Sequence, residues 1–580
     1  MMRKLFIGIV CSFLSLHGFA QEDLGFSYIK VREIDSQFTK IDRYSKKQYK
    51  AKQYSSLLDE LRTQCNNEGF VLHRLQSDTM NDTLFITVEL GKSYRWSNLE
   101  SDEIAKEYMR KAGIRVEKFS RKAVSAKRIG TAFNRTLRYC ENHGFPFASI
   151  KVDSVSIVSE SVAGIIKLEL GPYTTIDSLV LVGDLDVREG FIAGYTGLKE
   201  GSAYNEQRIR GAAQDLDQVP FIVTPNGAQV QFNESATKVI LQLNKERASR
   251  FDGIVGFLPD ENTGELLITG DVSIHLENSL KQGEVFDLKW RRLQSNTQDL
   301  EAITSFPFVF DSPFGPDARL KIYRRDTTFT DVFGKAGIRY IFSRNNYVRA
   351  FVDQQVTNLI STSQYENTLV IPEYLDRSIT SYGLGIRYAK LDYMLNPAKG
   401  IIIDVDGAVG TKRIIENADI PQAIYDSLEL NSVQFRTNGD IAYFVSVVPR
   451  LVWHQRFLGG SILNNQVFNN EATRIGGLKT LRGFNEEAIF ATSYMIARNE
   501  LRYQIERNGY LFLLFDGAWY ENMSLNHLGA RRDTPYALGL GITLGTKAGI
   551  FSLSAAAGSE QGNPLLIRST KFHFGFLSIF

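Results

Sequence analysis

Two periodicities of apolar residues divide the chain near Arg250. Before it, apolar positions recur at helical spacing, as in Tyr54, Leu57, Leu61 and Cys65, and each such run precedes segments rich in β-formers. After it, helical patterns nearly vanish, and the apolar segments alternate with polar tips such as SRNN and GSEQGN. The pattern therefore predicts α/β modules followed by a region made of strands.

The first part of the chain contains a repeat. LRTQCNNEGFVLHRL aligns with TLRYCENHGFPFASI, so that Cys65 matches Cys140 and Gly69 matches Gly144. Each copy is predicted as an amphipathic helix ended by its glycine and followed by two strands. A third, diverged copy fits YNEQRIRGAAQDLDQ, AQVQF and KVILQL, with the strand DSLVLVG before it. We predict three modules, and two buried free thiols at the matching cysteines.

The last part of the chain has room for about sixteen antiparallel strands at about 10 residues each. Its final segment, KFHFGFLSIF, places four phenylalanines on one face and Gly575, with Lys571 and His573, on the other. The four are Phe572, Phe574, Phe576 and Phe580. An apolar face opposite a polar face favours a lipid-facing barrel strand over a core strand of a soluble sandwich.

Composition and the first residues limit the class of protein. Residues 1–20 hold Arg3 and Lys4, an apolar run and the small residues Gly18 and Ala20, which predict a secretory signal peptide. No later run approaches the ~18 apolar residues of a spanning helix. Lys and Arg number 67 against 65 Asp and Glu, so net charge implies no nucleic acid or other polyanion partner. Three cysteines in an exported chain indicate that disulfides do not hold it together.

The stretch GGLKTLRGFNEE is a Gly-rich loop among predicted hairpins. A guanidinium inside a barrel needs a carboxylate, and the planar fork of Arg482 suits a bidentate partner better than a lysine would. Gly483 allows close backbone packing, and Phe484 can pack against an inner wall. The loop residues singled out are Gly476, Gly477, Leu481, Arg482, Gly483 and Phe484. The alternative is a solvated extracellular loop with an incidental arginine.

The repeated modules, the strand-rich exported domain, the Arg-Gly-Phe loop and the terminal phenylalanine together resemble the superfamily of outer-membrane insertases and secretion pores that join POTRA modules to a barrel. The resemblance covers nearly all of the mature chain. It implies that the loop folds into the lumen and that its arginine, here Arg482, meets an acid on a neighbouring strand. LFLLFDGAWY resembles the strand that supplies this acid, which makes Asp516 the partner. The family's glycine two residues later is Ala518 here, and its aromatic two residues before is Leu514.

A further stretch, LDYMLNPAKGIII, resembles another signature of that superfamily. It reads as a strand that ends at Asp392, turns at Pro397 and Gly400, and restarts as a strand. The export signal of the superfamily is matched by the last strand, from Phe572 to Phe580, although Ser578 stands where an aromatic or large apolar residue is usual.

The predicted organisation is a signal peptide at 1–20, POTRA-like modules at 21–93, 94–174 and 175–249, and an outer-membrane barrel at 250–580. By resemblance, the modules lie in the periplasm and capture unfolded outer-membrane or secreted clients, or a periplasm-spanning partner of the TamB type, by strand addition. Client strands enter the bilayer at a seam between the first and last barrel strands. No cofactor or metal is implied. Module count and length resemble the TamA branch more than BamA or two-partner secretion pores.

Other classes of function stay open. A two-partner secretion pore or a passive outer-membrane channel would use the same barrel, and large stable single-channel currents would favour the channel. A surface adhesin or enzyme would carry function in its loops. The sequence has no Gly-x-Ser-x-Gly, His-Glu-x-x-His or phosphate loop, and its seven histidines lack ligand spacing. We therefore expect no enzymatic activity.

Overall fold

A computed structural model describes residues 26–33, 42–233, 236–259, 266–294, 297–344, 346–363, 365, 371–393, 396–525, 531–546 and 549–578. The predicted signal peptide lies outside these residues, as does Phe580. The described residues form two compact units. One comprises the residues up to Asp177 with Glu200–Ile209 and Phe232–Thr237, and the other contains Ser178–Lys199, Arg210–Gln231 and the chain from Lys238 onward.

The helices of the described chain lie almost entirely before the barrel. Their bounds are α1 Asp42–Ser45, α2 Tyr54–Asn67, α3 Glu103–Lys111, α4 Ala126–Glu141, α5 Glu189–Thr196, α6 Glu206–Leu216 and α7 Gln422–Tyr425. Within the described residues, no helix is long and apolar enough to cross a membrane. Two of these helices have side-chain N-caps. Asp102 accepts a hydrogen bond from the amide of Ala105 at the start of α3, and Ser125 accepts one from the amide of Arg128 at the start of α4.

Three small sheets accompany these helices. The strands are β1 Tyr28–Glu33, β2 Gln48–Lys50, β3 Arg74–Met80, β4 Thr83–Glu89, β5 Arg95–Ser101, β6 Ser149–Val158, β7 Ser161–Glu169, β8 Ser178–Val182, β9 Ile222–Val223, β10 Gln229–Phe232, β11 Thr237–Gln242 and β12 Asn244–Lys245. Their orders are β2-β1-β4-β3, β5-β7-β6 and β10-β11-β8, while β9 pairs with β12. In each sheet the leading strand runs parallel to the last strand, as β1 does to β4, β5 to β7 and β8 to β11.

The repeat predicted from the sequence is confirmed in the backbone. Gly69 and Gly144, which follow the long helices α2 and α4, have the same φ of +92°, a conformation that favours glycine. Cys65 and Cys140 occupy the matching helix positions, are fully buried in separate cores, and form no disulfide. Residues of the same type therefore perform the same packing role in both copies.

The predicted order of helix, strand, strand was incomplete. The first two modules also begin with a strand, β1 or β5, and the second and third carry an earlier helix, α3 or α5. These elements were missed because they are short, and in β5, which reads RWSNLES, only Trp96 and Leu99 are buried. A strand of this kind is held by parallel pairing to a distant segment, which a local pattern does not show.

The chain beyond Arg250 forms one antiparallel sheet of long strands. These are β13 Arg250–Pro259, β14 Leu266–Glu277, β15 Val285–Gln294, β16 Thr297–Ser305, β17 Phe314–Arg325, β18 Phe329–Ser343, β19 Asn346–Leu359, β20 Arg377–Leu391, β21 Gly400–Ile414, β22 Asn431–Val448, β23 Leu451–Leu463, β26 Ser493–Glu506, β27 Gly509–Glu521, β28 Arg532–Asp533, β29 Tyr536–Thr546, β30 Gly549–Ser559 and β31 Lys571–Ser578. A separate small hairpin joins β24 Thr473–Ile475 to β25 Ile489–Ala491.

The seventeen described strands of this sheet correspond to sixteen wall positions. The short β28 pairs with Tyr520 and Glu521 of β27, while β29 pairs with Tyr510–Gly517 of the same strand. Both lie along one edge of β27, so they are two pieces of one interrupted strand. The prediction of a barrel of about sixteen antiparallel strands after α/β modules is confirmed.

The walls of the barrel alternate between an apolar outside and a polar inside. On β27, Leu511, Leu513 and Phe515 are exposed, whereas Asp516 is fully buried. Carboxylate and guanidinium side chains face each other across the inner surface, as Arg349 does with Asp406 and Arg387 with Asp404. This arrangement is typical of a membrane barrel, whose lipid-facing residues must be apolar.

Module-side turns of the barrel contact α5 and its neighbours within the same unit. The amide of Arg188 donates to the carbonyl of Lys281 at 2.7 Å, and Arg344 forms an ion pair with Asp215 at 2.5 Å. Phe308 packs so closely on Gly194 that a Cβ there would lie 2.5 Å from the ring. Burial raises the pKa of Asp215, which the charge of Arg344 only partly offsets.

Candidate functional site: a loop inside the barrel

The loop between β24 and β25 is a hairpin whose tip is shaped by glycines. Gly476 and Gly477 have φ of +116° and +89°, and a Cβ on Gly476 would lie 2.4 Å from the carbonyl oxygen of Asn485. The hydroxyl of Thr480 accepts from the amide of Gly476 at 2.8 Å, and the amide of Gly477 donates to the carbonyl of Leu481 at 2.9 Å. The tip is therefore a closed, internally bonded turn in which Leu481 is fully buried.

Arg482 and Asp516 are brought together by this turn. The Nε of Arg482 donates to Oδ2 of Asp516 at 2.8 Å, and its Nη2 donates to Oδ1 at 2.6 Å. The backbone amide of Arg482 adds a third hydrogen bond to Oδ2 at 3.2 Å. Arg482 is 2% exposed and Asp516 is not exposed at all. A planar, two-point pair of this kind is among the strongest polar contacts that proteins form.

Sequence reasoning missed a second carboxylate. Glu500, on β26, accepts from Nη1 of Arg482 through Oε1 and from Nε of Arg502 through Oε2, the latter at 2.8 Å. Arg502 also lies 2.8 Å from Nδ1 of His454, whose ring stacks on Phe444. A signal was present, because Arg498, Glu500 and Arg502 alternate along one face of β26 and so point inward together.

Gly483 and Phe484 fix the loop to the last strands of the barrel. Gly483 has a φ of +86°, and a Cβ there would lie 2.9 Å from the Cβ of Ala537 and 3.0 Å from the amide nitrogen of Gly558. The ring of Phe484 packs on Gly558, and a Cβ built on Gly558 would lie 2.7 Å from that ring. The amide of Gly483 also donates to Nε2 of His573 on β31, at 3.4 Å.

The other side of the hairpin reaches the opposite wall. Arg474 of β24 donates to the hydroxyl of Tyr323 on β17 at 2.9 Å. Glu487 lies 3.6 Å from both Arg474 and Arg291, the latter on β15. The hairpin is thus held to strands near both ends of the sheet, and it spans the lumen between them.

Solved structures of two proteins resemble this chain over most of its length. CdiB from Acinetobacter baumannii matches with a TM-score of 0.54 at 12% identity, over 91% of this chain and 96% of that one. CdiB from Escherichia coli matches with a TM-score of 0.53 at 12% identity, over 91% and 97%. The chain has the POTRA-plus-barrel fold. BamA from Haemophilus ducreyi lacking POTRA domains 1–3 matches at 12% identity, over 84% of this chain and all of that one, with a TM-score of 0.46. No family model and no curated protein match the sequence.

In this POTRA-plus-barrel chain, the stretch from Asp392 to Gly400 is a module-side turn. The carboxylate of Asp392 accepts from the amides of Tyr393, Ala398 and Lys399 at 3.0, 3.0 and 3.1 Å. Gly400 has a φ of +133°, and a Cβ there would lie 2.1 Å from the carbonyl oxygen of Lys390. Pro397 is buried in the same turn. These residues close the turn.

Two phenylalanines of the last strand lie on its outer surface. Phe572 and Phe574 of β31 are 76% and 66% exposed, while His573 faces the loop. A Cβ built on Gly575 would lie 3.7 Å from Cδ2 of Leu478, at the loop tip. Phe576 pairs in register with Phe551. In the described residues the hydrogen-bonded order of the sheet ends at β13 and at β31, with no ladder between them.

The arrangement is suited to holding a loop against the barrel wall. Over the described ranges, no group of three or more His, Cys, Asp or Glu side chains is placed to hold a metal ion. Arg482, Asp516, Glu500 and Arg502 form ion pairs with one another and are buried. These ion pairs hold the loop against the barrel wall.

Proposed function

We propose that this protein is an outer-membrane assembly and translocation factor, which inserts or exports β-rich client proteins through a lateral seam of its barrel. The modules lie in the periplasm and the barrel in the outer membrane. The contact that carries the proposal is the anchoring of the hairpin loop to Asp516 and Glu500. A loop fixed across the lumen obstructs open diffusion through the barrel. In the described residues the first and last strands, β13 and β31, have no ladder between them, and each therefore offers an edge.

The modules supply surfaces for a client or for a periplasm-spanning partner of the TamB type. Outer strands such as β6 carry exposed apolar side chains, including Ile157 and Val158 at 61% and 72% exposure. An extended peptide can add to such an edge by backbone hydrogen bonds. Neither nucleic acid nor a cofactor has a role in this proposal, and the lipid bilayer is the third partner.

A two-partner secretion pore is the second candidate. The likeness to two CdiB structures over 91% of the chain supports it. The two candidates differ in the fate of the client, which a pore releases outside the cell and an insertase leaves in the membrane.

Depletion followed by quantitative proteomics separates these functions. If the protein is an insertase, depletion lowers several barrel proteins in the outer membrane, and the wild-type gene restores them but Arg482→Ala does not. If it is a secretion pore, one exported protein disappears from the medium while the membrane proteome stays constant. An unchanged proteome and secretome, together with large stable single-channel currents from the purified protein, would leave the passive channel as the function.

A further inference from the structure

We propose that the barrel lumen binds a small tetrahedral oxyanion, phosphate or sulfate, in a cavity beside the tip of the hairpin loop. This tip cavity has a volume of about 440 Å³ and is lined on one side by the loop and on the other by β23, β26, β27 and β30. The volume of one water molecule in the liquid is about 30 Å³, so the cavity has room for a hydrated anion.

Positive charge exceeds negative charge around the tip cavity. Five cationic side chains line it: Arg456, Lys479, Arg482, Arg498 and Arg502. Three carboxylates pair with these cations, namely Glu500 in the lining and Asp440 and Asp516 behind it. A fourth carboxylate, Glu486, lies at the loop tip, where it accepts a hydrogen bond from the amide of Leu478 at 3.2 Å. Five cations against four carboxylates leave one positive charge in excess around the cavity.

Arg498 is the buried cation that lacks an adequate partner. It is 8% exposed, and its Nη1 donates to a neutral acceptor, the carbonyl of Lys479, at 2.8 Å. Its Nε has no hydrogen-bond partner among the described residues and lies 3.9 Å from Oδ2 of Asp516. Asp516 is already engaged, because its two oxygens accept three hydrogen bonds from Arg482. A buried cation that shares its nearest carboxylate with another arginine is incompletely compensated, and an anion in the cavity would offset that cost.

The other groups of the cavity suit an oxyanion of this size. Lys479, at the exposed tip of the loop, adds an ammonium to the cavity lining. The hydroxyls of Ser552 and Ser554 on β30 line the opposite side and can donate hydrogen bonds. Guanidinium groups bind phosphate and sulfate oxygens through strong charge-assisted hydrogen bonds. Free phosphate and the phosphate of a lipid headgroup share this chemistry.

Titration of the purified full-length protein in a neutral detergent tests the proposal. Phosphate is added at constant ionic strength, with chloride as the balancing ion, and binding heat is recorded. We expect saturable binding, at least about tenfold weaker in Arg498→Gln and several-fold weaker in Lys479→Gln, because each substitution removes a charge-assisted contact. Arg387→Gln is the matched control, since it removes a lumen arginine that pairs with Asp404 elsewhere on the wall.

Each outcome decides the question. Unchanged affinity in both Arg498→Gln and Lys479→Gln, or no saturable heat in the wild type, overturns the site. If Arg498→Gln fails to fold, as judged by heat-modifiable migration, the exposed Lys479→Gln variant decides alone. A second arm compares binding of the protein to vesicles with and without phosphatidylglycerol. Binding of free phosphate but no dependence on the anionic lipid assigns the site to a soluble anion, and the reverse assigns it to a headgroup.

Discussion

The guanidinium of Arg482 and the carboxylate of Asp516 meet side by side in the barrel lumen, joined by two side-chain hydrogen bonds of 2.8 and 2.6 Å and one backbone hydrogen bond. The two residues are 34 positions apart, and one belongs to a loop and the other to the wall. Removing either leaves a buried charge without its partner, while the hydrogen-bond ladder of the wall stays intact. The contact therefore decides where the loop lies more than whether the barrel folds.

Arg482→Ala and Asp516→Ala should each weaken the anchoring of the loop by about 3 to 5 kcal/mol, and by less where lumen water screens the charges. We expect protease cleavage within residues 476–487 and loss of assembly activity, with heat-modifiable migration of the barrel retained. Arg482→Lys should resemble Arg482→Ala, because a lysine cannot form the two-point contact. Single variants that match the wild type in protease protection and activity would show that the loop is a solvated hairpin.

Glu487→Gln is the matched control inside the same loop. Its carboxylate is 41% exposed and lies 3.6 Å from its two arginine partners, so the pair contributes little to stability. Protease protection of the loop should remain as in the wild type. Cleavage as rapid as in Arg482→Ala would mean that the loop depends on all its charges alike.

Glu500→Gln should release the loop nearly as well as Asp516→Ala does. The substitution keeps the shape of the side chain but removes the charge that Arg482 and Arg502 share. In a double-mutant cycle, the effects of Arg482→Ala and Glu500→Gln on protease protection should be non-additive, because the residues belong to one network. Additive effects would show that Glu500 acts apart from the loop.

The charge swap Arg482→Asp with Asp516→Arg should recover only part of the function, since it places an aspartate beside Glu500.

Some of these contacts and elements could be predicted from the sequence, and others could not. The pairing of Arg482 with Asp516 came from a resemblance, because neither charge nor spacing links two residues that meet only when a loop folds into a lumen. Alternation along β26 could have indicated that Glu500 points inward, but a strand pattern does not say which strands face the loop. Repeats were accessible because Cys65 and Cys140 sit in matching helical patterns, whereas β5 was missed because its pairing is distant.

Gly483→Ala should detach the loop without altering its charges. The residue has a φ of +86°, and its added methyl would lie 2.9 Å from the Cβ of Ala537, so backbone strain of about 1 to 3 kcal/mol is expected. Limited proteolysis should show faster cleavage than in the wild type. Gly562→Ala is the control, since it also has a positive φ, of +72°, but has open space around it. Equal protection in Gly483→Ala and the wild type would argue against close packing there.

Cys65 and Cys140 should remain unreactive in the folded protein and become reactive after denaturation. Burial raises the pKa of Cys140 to about 11, so at pH 8 only about 0.1% of it is the nucleophilic thiolate. Raising the pH toward that pKa should increase the reactivity of the native thiol. Thiol counting without reductant should find both groups in denaturant. Thr131→Cys, at an exposed position of α4, serves as the reactive control. A quantitative disulfide between Cys65 and Cys140 would contradict their separate cores.

The two ends of the barrel sheet should form the gate through which clients pass. In the described residues, β13 and β31 are not joined by a ladder, and β31 spans 8 residues where β22 spans 18. We expect a panel of cysteine pairs, with Phe251 or Asp252 on one side and residues 571–575 on the other, to include pairs that cross-link and abolish assembly while the barrel stays folded. Cross-linking Ala555→Cys to Phe572→Cys, which face each other within the β30 and β31 ladder, should preserve activity because it joins strands that are already paired. A reductant should restore the first set of variants. Full assembly activity in the cross-linked β13 and β31 pairs would show that clients leave the barrel by another route, since a covalently closed edge cannot open laterally.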